Sequence, residues 1–201
     1  QIFGNYTEDQ IIKIRDKNGW RKKFVILVRS SAEERKGCLN FIKAINFIEN
    51  EDQAKYQSIQ IIAIGDDYIK TKLSNKKISL FSGGFIKDFT KLADLYVASD
   101  VFINPSLADS GPAMISQAAM SGTPIISTNV GLANDLVFSN GIILKNNDYI
   151  ELANAICKLM NISKDLRKKG RFMARNFALS LINEEKYLNT IKDLINEFID
   201  K

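Results

Sequence analysis

The sequence predicts an α/β fold, a doubly wound, Rossmann-like parallel sheet of about six strands with helices on both faces. Short apolar runs of strand length alternate with stretches in which apolar residues recur at helical spacing. The runs are continuously apolar, as at residues 24–28, which is typical of strands covered on both faces. The chain has 201 residues, 45% of them hydrophobic and 25% charged, which suits one globular domain. Because strand and helix alternate, we expect the strands to lie parallel.

The first helix is marked at both ends. Thr7 and Gln10 form a capping-box pattern. Asn18-Gly19 is a stop signal, so residues 8–17 are predicted to form a helix. Strands are predicted at residues 24–28, 59–64, 78–81, 101–103, 124–127 and 141–144, and further helices at 39–48, 88–98 and 112–121, with a polar loop at 29–36.

The last part of the chain is predicted to be helical. Asp148 and Glu151 form a second capping-box pattern, which opens a helix that extends to Met160. Two more helices are predicted at residues 164–179 and 184–199. We interpret the basic run from Lys164 to Arg175 as a solvated helix face rather than a binding patch. Its core side is expected to comprise Leu166, Phe172 and Phe177.

The missing residue types exclude several classes of site. The chain has no histidine, which excludes a complete Ser-His-Asp site and removes the commonest metal ligand. It has no Asp-x-Asp, Gly-x-Gly-x-x-Gly or Walker motif, so no metal site is predicted. The two cysteines, Cys38 and Cys157, are predicted to be buried free thiols, which suits a reducing cytoplasm.

The net charge and the first residue of the chain indicate which kinds of partner to expect. The net charge of +5 is compatible with nucleic acid, an anionic membrane surface or a phosphate-bearing small molecule. The sequence contains no signal segment and no apolar run of membrane-spanning length. Because residue 1 is Gln rather than Met, we expect a piece of a longer protein.

Cations and glycines follow the predicted strands. Ligands of open parallel sheets bind outside the carboxyl ends of the strands, so the residues there are the candidates for a site. In chain order they are Arg29, Arg35, Lys36 and Gly37; Gly65; Gly84, Phe85 and Ile86; Asp109, Ser110, Gly111 and Pro112; and Asn129, Val130 and Gly131.

The segment after the fourth strand predicts an anion site. Pro112 suits the first position of a helix, where no N–H is needed. The free N–H groups at that helix start belong to Gly111, Ala113 and Met114. Arg35 and Lys36 are expected to close over the same anion, with no compensating carboxylate except Asp109. The alternative is a plain helix cap with exposed loop cations; we expect Lys36 to be exposed and to support little structure.

Further motifs, recognised by their order and spacing, extend this pattern over residues 20–180. The motifs are Arg35-Lys36-Gly37, Ile64-Gly65, Gly84-Phe85, Ala93-Asp94-Leu95-Tyr96, Ala98-Ser99-Asp100-Val101-Phe102, Asn104-Pro105-Ser106, Asp109-Ser110-Gly111-Pro112, Gly122-Thr123-Pro124, and Gly141, Asp148 and Leu152-Ala153. Together they resemble the nucleotide-binding C-terminal domain of the family-four retaining glycosyltransferases (group 1), which have the GT-B fold. The Asp-Ser-Gly-Pro form is similar to enzymes of bacterial surface-polysaccharide assembly.

The resemblance implies roles for these residues. The family has two glutamates eight residues apart, one that contacts the donor sugar and one that contacts the ribose; here Asp109 and Gln117 stand there. Gln117 is equally compatible with an ordinary polar residue on the solvent-exposed side of its helix. Arg35, Lys36 and Asp109 are implied as catalytic. The implied binding residues are Arg29, Gly65, Gly84, Phe85, Ile86, Ser110, Gly111, Pro112, Ala113 and Gln117. Backbone groups around Phe85 would read the base, unless its side chain only packs on the core.

The resemblance also implies a function. Residues 1–182 would be the nucleotide-sugar-binding half of a GT-B enzyme that transfers a sugar from a UDP- or GDP-linked donor with retention, without metal or cofactor. Residues 183–201 would form a helix that crosses to a missing N-terminal acceptor domain. Its apolar stripe comprises Tyr187, Leu188, Ile191, Leu194, Ile195 and Phe198. The isolated chain is expected to be inactive and its last helix to be the least firmly held element.

We also form expectations about the location, the partners and the alternative functions of the protein. We expect a cytoplasmic location, at the inner face of the membrane if the full-length protein associates with it peripherally. No nucleic acid partner is expected. Three other functions stay open. They are a non-catalytic nucleotide-sugar-binding subunit, another GT-B enzyme such as a sugar-nucleotide epimerase, and a regulatory α/β module without sugar chemistry.

Overall fold

The computed structural model describes residues 2–4, 6–73, 78–111, 113–138, 140–146, 148–181, 188–189, 191–193 and 195–196. The strands are β1 (Phe24–Ser30), β2 (Ile59–Gly65), β3 (Ser79–Gly84), β4 (Val101–Asn104), β5 (Ile125–Thr128) and β6 (Ile142–Leu144). The helices are α1 (Glu8–Lys17), α2 (Cys38–Glu51), α3 (Gln53–Ser58), α4 (Tyr68–Leu73), α5 (Phe89–Ala98), α6 (Ala113–Met120), α7 (Ala133–Leu136), α8 (Tyr149–Met160) and α9 (Lys164–Leu181), with a 3₁₀ turn at Glu34–Lys36.

The strands form one parallel sheet of six, in the order β3-β2-β1-β4-β5-β6. The chain moves outward from β1 to β3 and then returns to the other side of β1, where β4 pairs with it. A crevice opens at such a switch of direction, outside the carboxyl ends of the two central strands. The predicted fold class is confirmed, and the loops after β1 and β4 meet at this switch point.

The continuously apolar strands supply cores on both faces. Along β1, Ile26 and Val28 join the cluster formed with α2 and α8, whereas Val25 and Leu27 join the cluster formed with α5 and α6. All four side chains are fully buried. Successive residues of a strand point to opposite faces, so a run without polar positions requires helices on both.

Most predicted elements are confirmed, and the first capping box is present at Thr7 and Gln10. β1 is longer than predicted and extends to Ser30, so Arg29 lies on the strand and not in a loop. The second capping box is only half formed. Asp148 caps α8 through the Ile150 N–H, but the Glu151 carboxylate accepts from the N–H groups of Lys145 and Asn146 instead. Both cysteines are free, Cys38 buried and Cys157 partly buried.

Helix α9 reverses the predicted orientation of its faces. Leu166 and Phe172, expected in the core, are 64% and 69% exposed, and Phe177 is half-buried against Phe138. Two residues of the basic run turn inward instead: Arg167 pairs with Asp100, and Arg171 donates to the carbonyls of Val97 and Ser99. The end of α5 leaves carbonyls without helical partners, and a guanidinium satisfies them better than an apolar side chain does.

The predicted last helix and domain boundary lie mostly outside the described residues. Helical backbone is described at 188–189, 191–193 and 195–196, where Leu188 and Ile195 are about half-exposed. Residues 182–187 and the stripe residues Leu194 and Phe198 lie outside the described part. The boundary after residue 182 therefore stays a prediction. Among the described helices, none has both the length and the apolar character needed to span a membrane.

Candidate functional site

The loops after β1 and β4 are joined by their backbones. The Arg35 carbonyl accepts from the N–H groups of Leu107, at 2.7 Å, and Ala108, at 3.4 Å. Between them Gly37 has φ +66°, and a Cβ there would lie 1.8 Å from the Pro105 carbonyl oxygen. Only glycine allows both the left-handed backbone and this approach. The contact draws the 3₁₀ turn and its charged residues against the segment that precedes α6.

Lys36 and Asp109 form an ion pair at this junction. Lys36 Nζ lies 2.6 Å from Asp109 Oδ2, and the two side chains are 7% and 13% exposed. The expectation of an exposed loop lysine is therefore wrong, because the turn that Gly37 ends carries Lys36 under the neighbouring loop. An ion pair this far removed from water is held much more firmly than a surface pair.

The Asp109 carboxylate also reaches toward the start of α6. Its Oδ1 lies 3.4 Å from the Gly111 nitrogen, which donates to it. Burial by itself would raise the pKa of the Asp109 carboxyl, but the hydrogen bonds from Lys36 and Gly111 and the charges of Lys36 and Arg35 hold the pKa below its usual value. Pro112 lies outside the described residues, so its place at the first helical position stays a prediction.

The two arginines lie apart from the Lys36–Asp109 pair. Arg35 is half-exposed and pairs with Glu33 at 2.5 Å, so the loop has a second carboxylate that the sequence prediction overlooked. Arg29 is exposed on β1. Burial raises the pKa of the Cys38 thiol, which the charge of Arg29 only partly offsets; at Asp66 hydrogen bonds and the same charge outweigh burial and hold the carboxyl pKa below its usual value. Of the three predicted cations, the structure thus brings only Lys36 into contact with Asp109.

Asp66 was not predicted and positions the loop after β1. Its carboxylate accepts from the Ser30 hydroxyl and from the N–H groups of Ala32 and Tyr68. Gly65 before it has φ +123°, and a Cβ there would lie 2.3 Å from the Ser30 carbonyl oxygen. The signal was an acidic residue immediately after a strand-ending glycine.

A buried polar network lies beneath the loop after β4 and was also missed. Asn104 donates to the Ser127 hydroxyl and accepts from the Ser106 hydroxyl, both at 3.0 Å. Thr128 donates to the Ser106 carbonyl. These bonds fix the carboxyl ends of β4 and β5 relative to each other. The Asn104-Pro105-Ser106 motif carried that signal, although no role had been assigned to it.

The predicted base-binding segment follows the edge strand β3. Phe85 is 82% exposed, so the alternative in which it packs on the core is wrong; Ile86 packs there instead. Gly84 has φ +60°, and a Cβ there would meet nothing within 4 Å. β3 lies two strand spacings from β1, about 10 Å. An exposed aromatic ring therefore lies on the same sheet edge as Lys36, across the width of β2.

Gln117 is half-buried on α6 and does not lie on the solvent-exposed side of that helix. Its Oε1 accepts from the hydroxyl of the fully buried Tyr96 at 3.0 Å. Burial raises the pKa of Tyr96 well above its usual value, so the phenol remains a donor. Ser110 and Gly111 are exposed on the loop before α6.

A pocket opens beside these loops. A cavity of about 210 Å³ opens beside the turn and is lined among others by Ser31, Glu34, Gly37, Cys38, Asn40 and Leu107. Among the residues that the structure describes, no three carboxylates or cysteines are grouped so that they could hold a metal ion.

Comparison with known proteins agrees with the fold and the motifs. Residues 21–161 match the family described as glycosyl transferases group 1. Two curated relatives are Protein CapJ of Staphylococcus aureus, 27% identical over 183 residues, and UDP-Gal:alpha-D-GlcNAc-diphosphoundecaprenol alpha-1,3-galactosyltransferase of Escherichia coli, 28% identical over 194 residues. The matches cover 86% and 89% of this chain but 45% and 47% of those proteins, so the chain spans about half the length of the curated relatives it matches.

Solved structures show the same fold. HepE of Anabaena, in a complex with UDP and glucose, superposes with a TM-score of 0.78 at 20% identity, over 98% of this chain and 54% of that one. Sucrose-phosphate synthase of Thermosynechococcus elongatus also gives a TM-score of 0.78 at 20% identity, over 99% of this chain and 50% of that one. The family match covers most of the chain, including the loops after β1 and β4. The chain therefore belongs to the glycosyl transferases group 1 family.

Proposed function

We propose that this chain is the donor-binding half of a retaining glycosyltransferase that transfers a sugar from a nucleoside diphosphate in glycan or polysaccharide assembly. The observation that carries the proposal is the junction of the buried Lys36 with the start of α6 at the switch point of the sheet. A fixed ammonium group and the N–H groups of a helix start on one sheet edge form an anion site. HepE, with the same fold, was crystallised with UDP and with UDP-glucose, so UDP-linked sugars are the first donors to test.

The leaving diphosphate is the anion that this arrangement would stabilise. Lys36 supplies a fixed positive charge, and the N–H groups of Gly111 and Ala113 supply hydrogen bonds where negative charge develops. Arg35 would join them, because its exposed ion pair with Glu33 is worth less than about 1 kcal/mol and opens easily. With these groups in place, transfer would proceed without a metal ion.

The remaining assignments follow the sheet edge outward. Asp109 would meet the donor sugar next to the diphosphate. Gln117 would reach the ribose with its side-chain amide, whose oxygen accepts from Tyr96 and is thereby held in place. The base would lie over β3, against Phe85 and the backbone of Gly84 and Ile86.

The other half of the enzyme would supply the acceptor site. The chain spans about half of its curated relatives, and transfer requires donor and acceptor to be enclosed together away from water. We therefore expect the 201-residue chain to bind nucleotide but not to transfer sugar. In the cell we place the full-length enzyme in the cytoplasm, at the inner face of the membrane. Transfer to a lipid-linked acceptor by this chain alone would contradict this part of the proposal.

Calorimetry with UDP, GDP and their sugars tests the function directly. Lys36→Ala should weaken binding of the preferred nucleoside diphosphate about ten- to a hundredfold, because a charge-assisted contact contributes about 1.5–3 kcal/mol. The matched control is Lys55→Ala. Lys55 pairs with Asp52 at 2.7 Å on α3, which precedes β2 and so lies at the opposite sheet edge. Absence of binding by the unaltered chain, or equal losses in the two variants, would refute the proposed site.

A further inference from the structure

The charge of Lys36 is already neutralised within the chain. The buried ammonium lies 2.6 Å from the Asp109 carboxylate. Any phosphate that uses Lys36 must therefore share it with Asp109 or displace that carboxylate. Both are anionic acceptors without a hydrogen to donate, so they repel each other when they lie on the same ammonium.

The two partners of the pair differ in how firmly they are held. Lys36 lies in a turn locked by the contact of Gly37 with the Pro105 carbonyl. Asp109 lies on a loop whose neighbours Ala108 and Ser110 are exposed, and a Cβ at Gly111 would meet nothing within 4 Å. Asp109 is thus the partner that is free to move away.

Movement of Asp109 leaves the junction of the two loops intact. The Arg35 carbonyl holds the N–H groups of Leu107 and Ala108, which precede Asp109 in the chain. Apart from the ion pair itself, the hydrogen bond that the described residues give the Asp109 carboxylate is the one from Gly111, and at 3.4 Å it opposes rotation only weakly.

We infer that Asp109 is a displaceable counter-ion of Lys36 that makes the site discriminate against a bare nucleoside diphosphate in favour of one that carries a sugar. This inference rests on the proposed function. A released carboxylate needs hydrogen-bond donors. Sugar hydroxyls next to the diphosphate supply them, whereas the terminal phosphate of UDP offers only acceptors. Once the sugar has left, Asp109 returns to Lys36 and weakens the hold on the product.

The test compares two ligands in four proteins. Calorimetry measures the Kd values of UDP and UDP-glucose, or of GDP and GDP-mannose if the unaltered chain prefers guanine. Asp109→Asn should strengthen UDP binding about tenfold, since one competing charge is gone. Binding of the nucleotide sugar should stay the same or weaken, so the preference for the sugar-bearing ligand falls at least tenfold. Asp109→Glu retains the charge and should retain the preference.

Asp16→Asn is the matched control. It removes the same charge and an ion pair of 2.5 Å with Arg21, on α1. Neighbouring Arg15 bonds to the Lys23 carbonyl just before β1, which places this pair at the amino edge of the sheet. The control should alter neither Kd by more than about twofold, because at that separation salt screens the charge.

Three results would overturn the inference. One is an unchanged UDP to UDP-glucose Kd ratio in Asp109→Asn. Another is an equal gain in affinity for both ligands, which would show that Asp109 only repels anions. The third needs no variant: in a crystal of the unaltered chain with UDP, Lys36 Nζ would keep Asp109 as its partner while the phosphates lie elsewhere. Failure of the unaltered chain to bind any nucleotide would instead reject the proposed function, and the inference with it.

Discussion

Asp109→Asn and Lys36→Met should have unequal effects on stability, although both break the same ion pair. Asp109→Asn leaves an ammonium that is 7% exposed without its counter-ion, in a turn that Gly37 fixes in place. Lys36→Met leaves the carboxylate, which is on the movable loop and can turn into water. The methionine buries an apolar stem where the lysine stem was.

The structure gives the expected magnitudes. Removal of one partner from a fully buried pair costs about 3–5 kcal/mol. Because Lys36 retains slight exposure, we expect about 2–3 kcal/mol for Asp109→Asn. For a chain of 201 residues this lowers Tm by about 4–12 °C. For Lys36→Met we expect less than about 1 kcal/mol, since hydration of Asp109 replaces most of the lost interaction.

Acid should reduce the difference between these variants. The pKa of Asp109 is depressed in the folded chain, so the pair stabilises the fold above the unfolded pKa of about 3.9. That contribution is lost as pH falls through the lower, folded value. The cost of Asp109→Asn should thus be constant between about pH 5 and 8 and shrink below about pH 4.

Urea unfolding followed by fluorescence measures both effects. Trp20 is the single tryptophan of the chain, is buried and contacts Phe81 edge-to-face, so its emission reports the packed state. Unfolding free energies of the unaltered chain and the two variants are compared at pH 7 and at pH 3.5. Equal costs at pH 7, or a larger cost for Lys36→Met, would refute the reasoning that Lys36 is the fixed partner and Asp109 the mobile one.

Three further predictions concern other contacts. Arg171→Met should lower the unfolding free energy by about 2–4 kcal/mol in urea titrations, because the buried guanidinium donates to two carbonyls at the end of α5; a loss below about 0.5 kcal/mol would show that those carbonyls find other donors. Phe85→Ala should weaken nucleotide binding by about 1–3 kcal/mol in calorimetry and leave Tm unchanged, since the ring is exposed and available for stacking on a base; unchanged affinity would remove Phe85 from the site. Gly37→Ala should cost several kcal/mol more than Gly84→Ala, as measured by thermal melting. Both glycines have positive φ, but only at Gly37 does the new Cβ collide with the Pro105 carbonyl. Similar melting points of the two variants would show that the loop after β4 moves to make room for the Cβ.

The sheet could be predicted from the sequence because its signal is local. A strand covered on both faces must be apolar at every position, and β1 and β2 show this over most of their length. Helices α3, α4 and α7 were missed for the opposite reason. Each has at most six residues, less than two turns, so no apolar period could be recognised.

Helix α9 shows what the helical periodicity of apolar residues cannot predict. The positions of Leu166 and Phe172 predicted a face toward the core, yet a repeat only indicates which residues share a side. Which side is covered depends on the neighbouring elements: α9 packs on α6, and its Arg171 reaches the carbonyls at the end of α5. The side of α9 that is buried carries the small residues Ala174 and Ala178 together with the guanidinium of Arg171, not the large apolar side chains.

At the site, residue types were predictable but partners were not. Lys36 and Asp109 were selected because each follows a strand, and residues at strand ends meet at one edge. They are 73 positions apart, and they meet because β4 pairs with β1 rather than with β3. A Gly-ended turn, a backbone tie through Arg35 and a carboxylate of the right length then bring ammonium and carboxylate within 2.6 Å. Residues selected separately as phosphate and sugar ligands therefore bind each other in this structure, so a nucleotide sugar would have to satisfy both of them to hold the pair apart.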